Sequence, residues 1–445
     1  KTTRALSLIR SKKDTVNRPW YSDDAVLQIP SIDDVRLAQY PVEKRKQIID
    51  QLRNTQKADP NIMISEPCAI TCRVAKSFVR IGHLDLFARR AEKASMQSGM
   101  QSFEDPRPRF DQSTREWKEL EQLIWHACKR EFKEEAYDPF IGDNDLAGAA
   151  NVLLERSAEN IAIMVANWIR VGFAQGNFNA DNCLVGGKTM DYGPFGWMEE
   201  YAPLFAKWTG SGQHFGFMNQ PSAGFVNYQV LVESVVPVIA AARGLEDPDP
   251  LEGEYMEKAQ STFQDAVSGV INQKLGLPKD ADVGDDLWTT CKDLLPKSRT
   301  DWTLFWRQLT YVMRDFPDLD SAEYDEMTKV LEGDGDSSPF YEPLTPELRR
   351  EWIAWIKEWR EILKASQMSG DIFESMRTTN PKYVLREWIL VDAYTTAAND
   401  DFTILNELHE LIQRPYDEGS DKESEAYYRR APESASARGG TAFMS

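Results

Sequence analysis

The residues from Asn182 to Asp191 combine two oxygen-bearing side chains with a tight-turn signal. Gly186 and Gly187 lie midway, and a two-residue type I′ turn needs a positive φ at both central positions, which glycine tolerates. That turn would place Asn182 opposite Asp191 across an antiparallel hairpin, with Cβ atoms roughly 5 Å apart. An amide and a carboxylate at that separation can share one Mg²⁺, which takes oxygen ligands and completes its shell with water and substrate phosphates.

The residues that flank this hairpin add a second carboxylate and a further turn. Asp181 would point to the opposite side of the strand from Asn182, where it could accept a proton. A turn at residues 192–194 would hold Asp191 at the end of its strand. A kinase active site has this arrangement, since a catalytic-loop Asn and the Asp of an Asp-Phe-Gly triplet hold Mg²⁺ on ATP. The alternative is an ordinary Gly-Gly hairpin with solvated polar ends, which the spacing alone leaves open.

A wider set of motifs surrounds this hairpin. Residues 175–182 read QGNFNADN and residues 190–198 read MDYGPFGWM. They resemble the pattern of the selenoprotein O family, which has His-Gly-Val-Met-Asn-Thr-Asp-Asn followed by Ile-Asp-Tyr-Gly-Pro-Phe-Gly-Phe. Further matches occur in the family's order over nearly the whole length, at Thr2 to Leu8, Arg73 to Ala75, Arg80 to Gly82, Asn219 to Pro221, Lys274 to Leu277, Asn380 to Arg386 and Arg414 to Glu418. From these motifs the chain is identified as a member of the family.

The resemblance implies a fold and an activity. Members have a protein-kinase-like (pseudokinase) fold, so the expected class is α+β and mostly helical, with a large helical C-terminal extension. They bind ATP in a reversed orientation with Mg²⁺, or with Mn²⁺ in its place. They transfer AMP, and not phosphate, to Ser, Thr or Tyr hydroxyls of other proteins. The implied compartment is the mitochondrion in a eukaryote and the cytoplasm in a bacterium.

The resemblance also implies roles for individual residues. Asn182 and Asp191 match the metal ligands, and through the metal Asp191 also binds the nucleotide. Asp181 matches the proposed proton acceptor, and Arg73 and Arg80 match two arginines that hold the terminal phosphates. A guanidinium suits that task because it is planar, permanently charged and able to fork onto phosphate oxygens.

Two departures from the family pattern bear on activity. Gln175 stands where the family has His, so no role that needs an imidazole is carried over. The chain also starts after the position of the family's glycine-rich phosphate loop and nucleotide-binding Lys, so we expect a fragment of a longer protein. Two functions therefore remain open. One is an ATP-dependent AMP transferase, and the other is a catalytically silent kinase-like scaffold that binds protein partners.

The composition predicts a folded protein that does not bind polyanions. Of the 445 residues 42% are apolar, which is enough for large cores. No apolar run is expected to approach the ~18 to 20 residues of a membrane span, so no membrane contact is expected. The net charge of −19 argues against nucleic acid as a partner, because phosphate contacts need clustered Lys and Arg. Five scattered cysteines disfavour a disulfide framework or a zinc site.

The chain divides into four expected regions. These are a remnant of the kinase-like small lobe with a charged insertion (1–72), the large lobe with the catalytic and metal-binding loop (73–245), a helical C-terminal region (246–416) and a disordered tail (417–445). Helical periodicity predicts core helices over 116–135, 151–173 and 226–242, and tryptophan stripes at 302–309 and 352–362 are typical of cores. Because the family commonly ends in a Cys or selenocysteine and none follows Cys291, we expect a UGA codon after Ser445.

Overall fold

The computed structural model describes most of the chain. It covers residues 2–20, single positions between 32 and 49, and then 61–98, 110–193, 195–207, 213–282, 284–366 and 370–432. Over these residues the protein is α+β and mostly helical, which confirms the expected class. Most of the predicted charged insertion, and residues 433–445 of the predicted tail, lie outside the described residues.

The regular elements alternate long helices with a few strands. The strands are β1 (Arg4–Trp20), β2 (Ile62–Val74), β3 (Phe173–Ala174) and β4 (Gly196–Trp197). The α-helices in the described residues are α1 (Ile81–Gln97), α2 (Arg115–Glu131), α3 (Leu146–Val171), α4 (Gln220–Ala242), α5 (Asp249–Lys274), α6 (Gly284–Lys297), α7 (Trp302–Asp315), α8 (Tyr324–Glu332), α9 (Pro346–Ala365), α10 (Ile372–Thr379), α11 (Glu387–Ala398), α12 (Thr403–Leu411) and α13 (Asp421–Tyr427).

Residues Thr3–Ala75 form the smaller of two units. Within it β1 and β2 pair antiparallel, from Arg4 opposite Val74 to Trp20 opposite Ile62, with two irregularities in the register. Most side chains on both strands are exposed. A two-stranded ribbon of this kind is marginally stable by itself, so the strands gain little from burial within their own unit.

The larger unit, which includes residues 76–445, is built around α3. Asp145 begins this helix by accepting a hydrogen bond from the Gly148 backbone N–H at 2.8 Å, and Gly172 ends it with a φ of +76°. α3 packs against α4 and α5, and the buried faces of these three helices form the first hydrophobic core together with those of α1 and α2. The helix predicted over 151–173 is confirmed, but it begins earlier because Asp145 caps it.

α4 belongs to the most apolar stretch in the described residues. The segment Phe217–Ala242 is long and apolar enough to cross a membrane by length and composition, contrary to the expectation that no such run exists. In its most apolar window 61% of the residues are buried inside the protein, against α3 and α5. The apolar composition is therefore explained by packing in the core.

A second core lies in the C-terminal half of this unit. α7 and α9 contribute its largest side chains, and both predicted tryptophan stripes are confirmed as core. The fully buried indoles of this second core are those of Trp302, Trp306, Trp352, Trp355 and Trp359. Several of these rings meet edge to face, which favours burial beyond the area removed from water.

A buried ion pair joins the start of α7 to the start of α11. The Arg386 guanidinium donates to both carboxylate oxygens of Asp301, at 2.6 and 2.8 Å, and neither residue is more than 2% exposed. Glu199 adds a second carboxylate 3.7 Å from Arg386. The Asp301 carboxylate also caps α7 by accepting from the Leu304 N–H. One guanidinium thus compensates two acidic groups in the interior.

The segment after residue 416 is folded, which corrects the prediction of disorder for residues 417–432. Glu418 binds the buried Arg307 of α7 and accepts a hydrogen bond from Tyr311 at 2.7 Å. Lys382 donates to the Glu418 backbone oxygen at 2.7 Å, and α13 follows. The segment that was predicted to be disordered instead supplies the partner of a buried cation.

Candidate functional site

The chain reaches the candidate site from the end of α3. β3 follows at once and pairs with β4, which fixes the start of the loop over residues 175–182. The loop ends in a 3₁₀ turn over Ala180–Asn182, and the hairpin segment over 183–189 continues from it. A short strand and a short turn therefore hold both ends of the segment that carries the predicted site residues.

The hairpin has a different register from the one predicted. Cys183 pairs with Thr189, so Asn182 does not lie directly opposite Asp191 as the turn rule required. Gly187 has a positive φ of +59°, whereas Gly186 does not, which excludes a type I′ turn.

Close packing against two helices explains the glycine pair. A Cβ on Gly186 would overlap the carboxylate of Glu131 in α2, and a Cβ on Gly187 would overlap the backbone of Asn160 in α3. Gly187 needs to be glycine whatever the turn type, because its overlap is with backbone and its φ is positive, whereas a side chain at Gly186 would displace the Glu131 carboxylate. The pair is therefore set by tertiary contacts.

A continuous set of hydrogen bonds nevertheless joins Asn182 to Asp191. The Asn182 amide donates to the Asn177 backbone oxygen at 2.9 Å, and the Asn177 N–H donates to Gln175 Oε1 at 2.7 Å. Gln175 Nε2 then donates to Asp191 Oδ2 at 3.0 Å. We call these four residues the amide relay. It fixes the two predicted metal ligands relative to each other without direct pairing.

The relay leaves oxygen atoms for a cation. Asp191 accepts one hydrogen bond on each carboxylate oxygen, from Gln175 and from the Gly193 N–H at 2.9 Å, so lone pairs remain on both. Asn182 uses its amide nitrogen within the loop, which leaves Oδ1 as its ligand atom. Both residues are only half-buried. This donor set fits Mg²⁺ or Mn²⁺, which combine a few oxygen ligands with waters and phosphates.

Carboxylates are sparse at this site. Nowhere in the described part of the chain do three His, Cys, Asp or Glu side chains come together in a metal-binding group. A cation held by Asn182 and Asp191 would therefore take most of its ligands from phosphate and water.

Asp181 is exposed and lies against the start of α1. Its backbone N–H donates to Asn179 Oδ1 at 3.0 Å, which fixes the main chain. A Cβ on Gly82 would overlap the Asp181 carboxylate. The carboxylate therefore occupies the space that a side chain at Gly82 would fill, close to the positive end of the helix.

Arg80 is brought to the same loop. Arg80 pairs with Leu184 through a backbone bridge, and its guanidinium donates to the Asp181 backbone oxygen at 3.2 Å. His83 accepts the Arg80 N–H on Nδ1 at 3.1 Å. Burial and the Arg80 charge lower the pKa of His83, although the Asp181 charge opposes them. His83 is therefore neutral at pH 7, and Arg80 is the cation beside Asp181.

Arg73 belongs to the smaller unit. Its guanidinium donates to Thr3 Oγ1 at 2.5 Å, and the side chain is exposed. The prediction that Arg73 and Arg80 face one nucleotide site stays a prediction.

Two buried glutamines were not recognised as site residues. Gln175 appeared only as a departure from the family pattern, yet its side chain is the centre of the amide relay. Gln220 is fully buried, accepts the Gln175 backbone N–H at 2.9 Å and donates to the Phe173 backbone oxygen. The motif at Asn219 to Pro221 was a signal for Gln220, since it recurs in the family pattern.

Comparisons with known proteins agree with the motifs. A family model described as protein adenylyltransferase SelO matches residues 47–413. Curated relatives named protein nucleotidyltransferase YdiU include those of Flavobacterium johnsoniae, Rhodopirellula baltica and Xanthomonas axonopodis pv. citri, each 29% identical over 383, 389 and 390 residues. These alignments cover 85% of this chain but 64% of each relative, so the chain spans less than two thirds of their length.

Proposed function

This chain belongs to the protein adenylyltransferase SelO family, and on that premise we propose that it transfers AMP from ATP to hydroxyl groups of other proteins. The acceptors are Ser, Thr or Tyr side chains, the larger unit has a kinase-like fold, and Mg²⁺ or Mn²⁺ is the cofactor. The observation that carries the proposal is the amide relay, which links Asn182 to Asp191 next to the exposed Asp181.

The binding roles follow from the atoms that each side chain leaves available. Asn182 Oδ1 and the Asp191 carboxylate would hold the divalent cation, and a cation bound there would supply charge neutralisation and orientation of the triphosphate. Arg80 holds a terminal phosphate, and its contact with the Asp181 main chain supports a place beside the reacting groups. The same role for Arg73 rests on the sequence match.

Asp181 is the proton acceptor of the proposed reaction. The substrate hydroxyl oxygen forms a bond to the α-phosphorus, and the bond from that phosphorus to the pyrophosphate oxygen breaks. The hydroxyl proton passes to the Asp181 carboxylate, and pyrophosphate leaves with the bonding electrons. An exposed carboxylate on a fixed main chain can meet a protein substrate and still be held in place.

The position of the label in ATP tests this function. The full-length protein with Mg²⁺ or Mn²⁺ should label itself or an acceptor protein from α-³²P-ATP and not from γ-³²P-ATP. Asp181→Asn should lower that labelling by about 10²- to 10⁴-fold, because a positioned base contributes that much. Asp265→Asn, an exposed aspartate of α5, is the matched control and should be active. Labelling from the γ-phosphate, or none from either position, would reject AMP transfer; the second result would favour the silent scaffold.

Gly82→Ala tests how Asp181 is positioned. The new methyl group would overlap the Asp181 carboxylate, which can rotate away while the helix remains intact. A displacement of about 1 Å costs up to a hundredfold in rate, so AMP transfer should fall by roughly 10- to 100-fold without a loss of thermal stability. Gly142→Ala is the matched control, because its Cβ would enter open space. Equal activity in the two variants would show that the contact does not position Asp181.

A further inference from the structure

Gln175 is the residue through which both predicted metal ligands are connected. It is 1% exposed, and its side-chain amide uses the donor and the acceptor in different directions. Oε1 accepts from the Asn177 N–H at 2.7 Å, and Nε2 donates to Asp191 Oδ2 at 3.0 Å. Because the two partners differ in polarity, only one orientation of the amide satisfies both.

The main chain of Gln175 is held as firmly as its side chain. Gln220 accepts the Gln175 N–H at 2.9 Å and is itself tied to the Phe173 backbone. The Gln175 backbone oxygen faces Gly193, where a Cβ would approach it to 2.8 Å. Gly193 in turn donates to Asp191 Oδ1. Gln175 therefore contacts Asp191 Oδ2 directly through its side chain. Its backbone oxygen also lies next to Gly193, which donates to Asp191 Oδ1.

We infer that Gln175 is a positioning residue that sets the placement of Asp191 relative to Asn182 and so determines the affinity of the site for a divalent cation. The inference deepens the proposed function and rests on it for the identity of the metal site. Outer-shell partners of metal ligands typically affect metal affinity by 10- to 100-fold. Gln175 does this as a neutral group, so it adds no charge beside the cation.

The chemistry of the amide decides which replacements should work. A neutral imidazole also offers one donor and one acceptor, so His at residue 175 can make both contacts. Leu has neither, although its volume is close to that of Gln. Met has the length of Gln without a hydrogen-bond donor, so it serves as a second variant if Leu prevents folding.

Mn²⁺ binding tests the inference without a need for catalysis. Mn²⁺ alone is titrated into the full-length protein, and its binding is followed by water-proton relaxation. The binding component assigned to the candidate site is the part of the Mn²⁺ binding that is lost in Asp191→Ala. Gln175→Leu, or Gln175→Met, should weaken this component by about 10- to 100-fold. Gln175→His should restore it to within a few-fold. In the activity assay, Gln175→Leu should raise the Mn²⁺ concentration for half-maximal rate more than it lowers the rate at saturating Mn²⁺.

The control separates positioning from a general loss of stability. Gln308 of α7 is also buried and donates to a backbone oxygen, that of Ser337, in the second core. Gln308→Leu should lower thermal stability and leave Mn²⁺ affinity unchanged. The inference is overturned if Gln175→Leu and Gln175→Met bind Mn²⁺ as tightly as the wild type, or if Gln308→Leu weakens Mn²⁺ binding as much as Gln175→Leu does. It is also overturned if the wild type shows no Mn²⁺ binding that Asp191→Ala removes.

The two proposals fail in different ways. A wild type that binds Mn²⁺ in a manner dependent on Gln175 but transfers no AMP contradicts the proposed function and supports the role of Gln175. A wild type that transfers AMP with a metal affinity independent of Gln175 contradicts only the inference.

Discussion

Asp191→Ala should reduce AMP transfer on the order of a thousandfold, since a bound cation contributes several kcal/mol and each ~1.4 kcal/mol is tenfold in rate. Asp191 supplies the carboxylate of the candidate metal site, and Asn182 by itself offers one neutral oxygen. The triphosphate would then be neither neutralised nor oriented. The measurement is the rate of labelling from α-³²P-ATP at saturating Mg²⁺.

The control for this prediction is Asp265→Ala, which removes an exposed carboxylate far along the sequence in α5. Asp265→Ala should be as active as the wild type. The unfolding temperatures of Asp265→Ala and Asp191→Ala should both lie within a few degrees of the wild-type value. The Asp191 carboxylate is half-buried and bonded within the loop, so its loss affects local contacts and not either core. A folded Asp191→Ala variant with a tenth or more of the wild-type rate would contradict a ligand role.

Arg386→Met should destabilise the larger unit by about 3–5 kcal/mol, because removal of one partner leaves buried charge without compensation. Asp301 is fully buried, and Glu199, whose pKa burial already raises, also depends on Arg386. The free energy of unfolding is obtained from denaturation in urea, followed by circular dichroism. The double variant Arg386→Met with Asp301→Asn should recover part of the loss, since Asn can still cap α7.

Arg299→Met is the matched control for the buried pair. Arg299 also binds two carboxylates, those of Glu200 and Glu342, but all three side chains are exposed. Its removal should leave the free energy of unfolding nearly unchanged, since exposed pairs are screened by water. If Arg299→Met destabilised the protein as much as Arg386→Met, burial would not be the cause.

The helices were predictable from the sequence because packing and periodicity agree along them. Apolar spacing predicted α3 and α4, and the tryptophan stripes predicted the parts of α7 and α9 that face the second core. The errors fall where a polar side chain decides the outcome. Asp145 lengthens α3, and Glu418 orders a segment whose composition indicated disorder.

The contacts of the candidate site could not be predicted from the sequence, and the roles of its residues stay predictions. The motifs pointed to Asp181, Asn182 and Asp191, and the hairpin rule then paired the last two directly. The glycines instead face Glu131 and Asn160, which are distant in sequence, so no local rule could give the register. The contacts of Gln175 were hidden for a related reason. An amide can donate or accept in either orientation, and its partners are decided only once the loop has folded.

The contact between Arg307 and Glu418 has a consequence for folding during synthesis. Arg307 is fully buried, and its hydrogen-bond partners include the Arg377 and Asn380 backbone oxygens as well as Glu418, which lies 111 residues downstream. At about 5–20 residues per second, a ribosome needs roughly 6 to 22 s to extend the nascent chain from one to the other. The second core therefore cannot close with its charge compensated until translation has reached Glu418, just before the last described helix. During that interval the tryptophans of α7 and α9 are open to molecular chaperones.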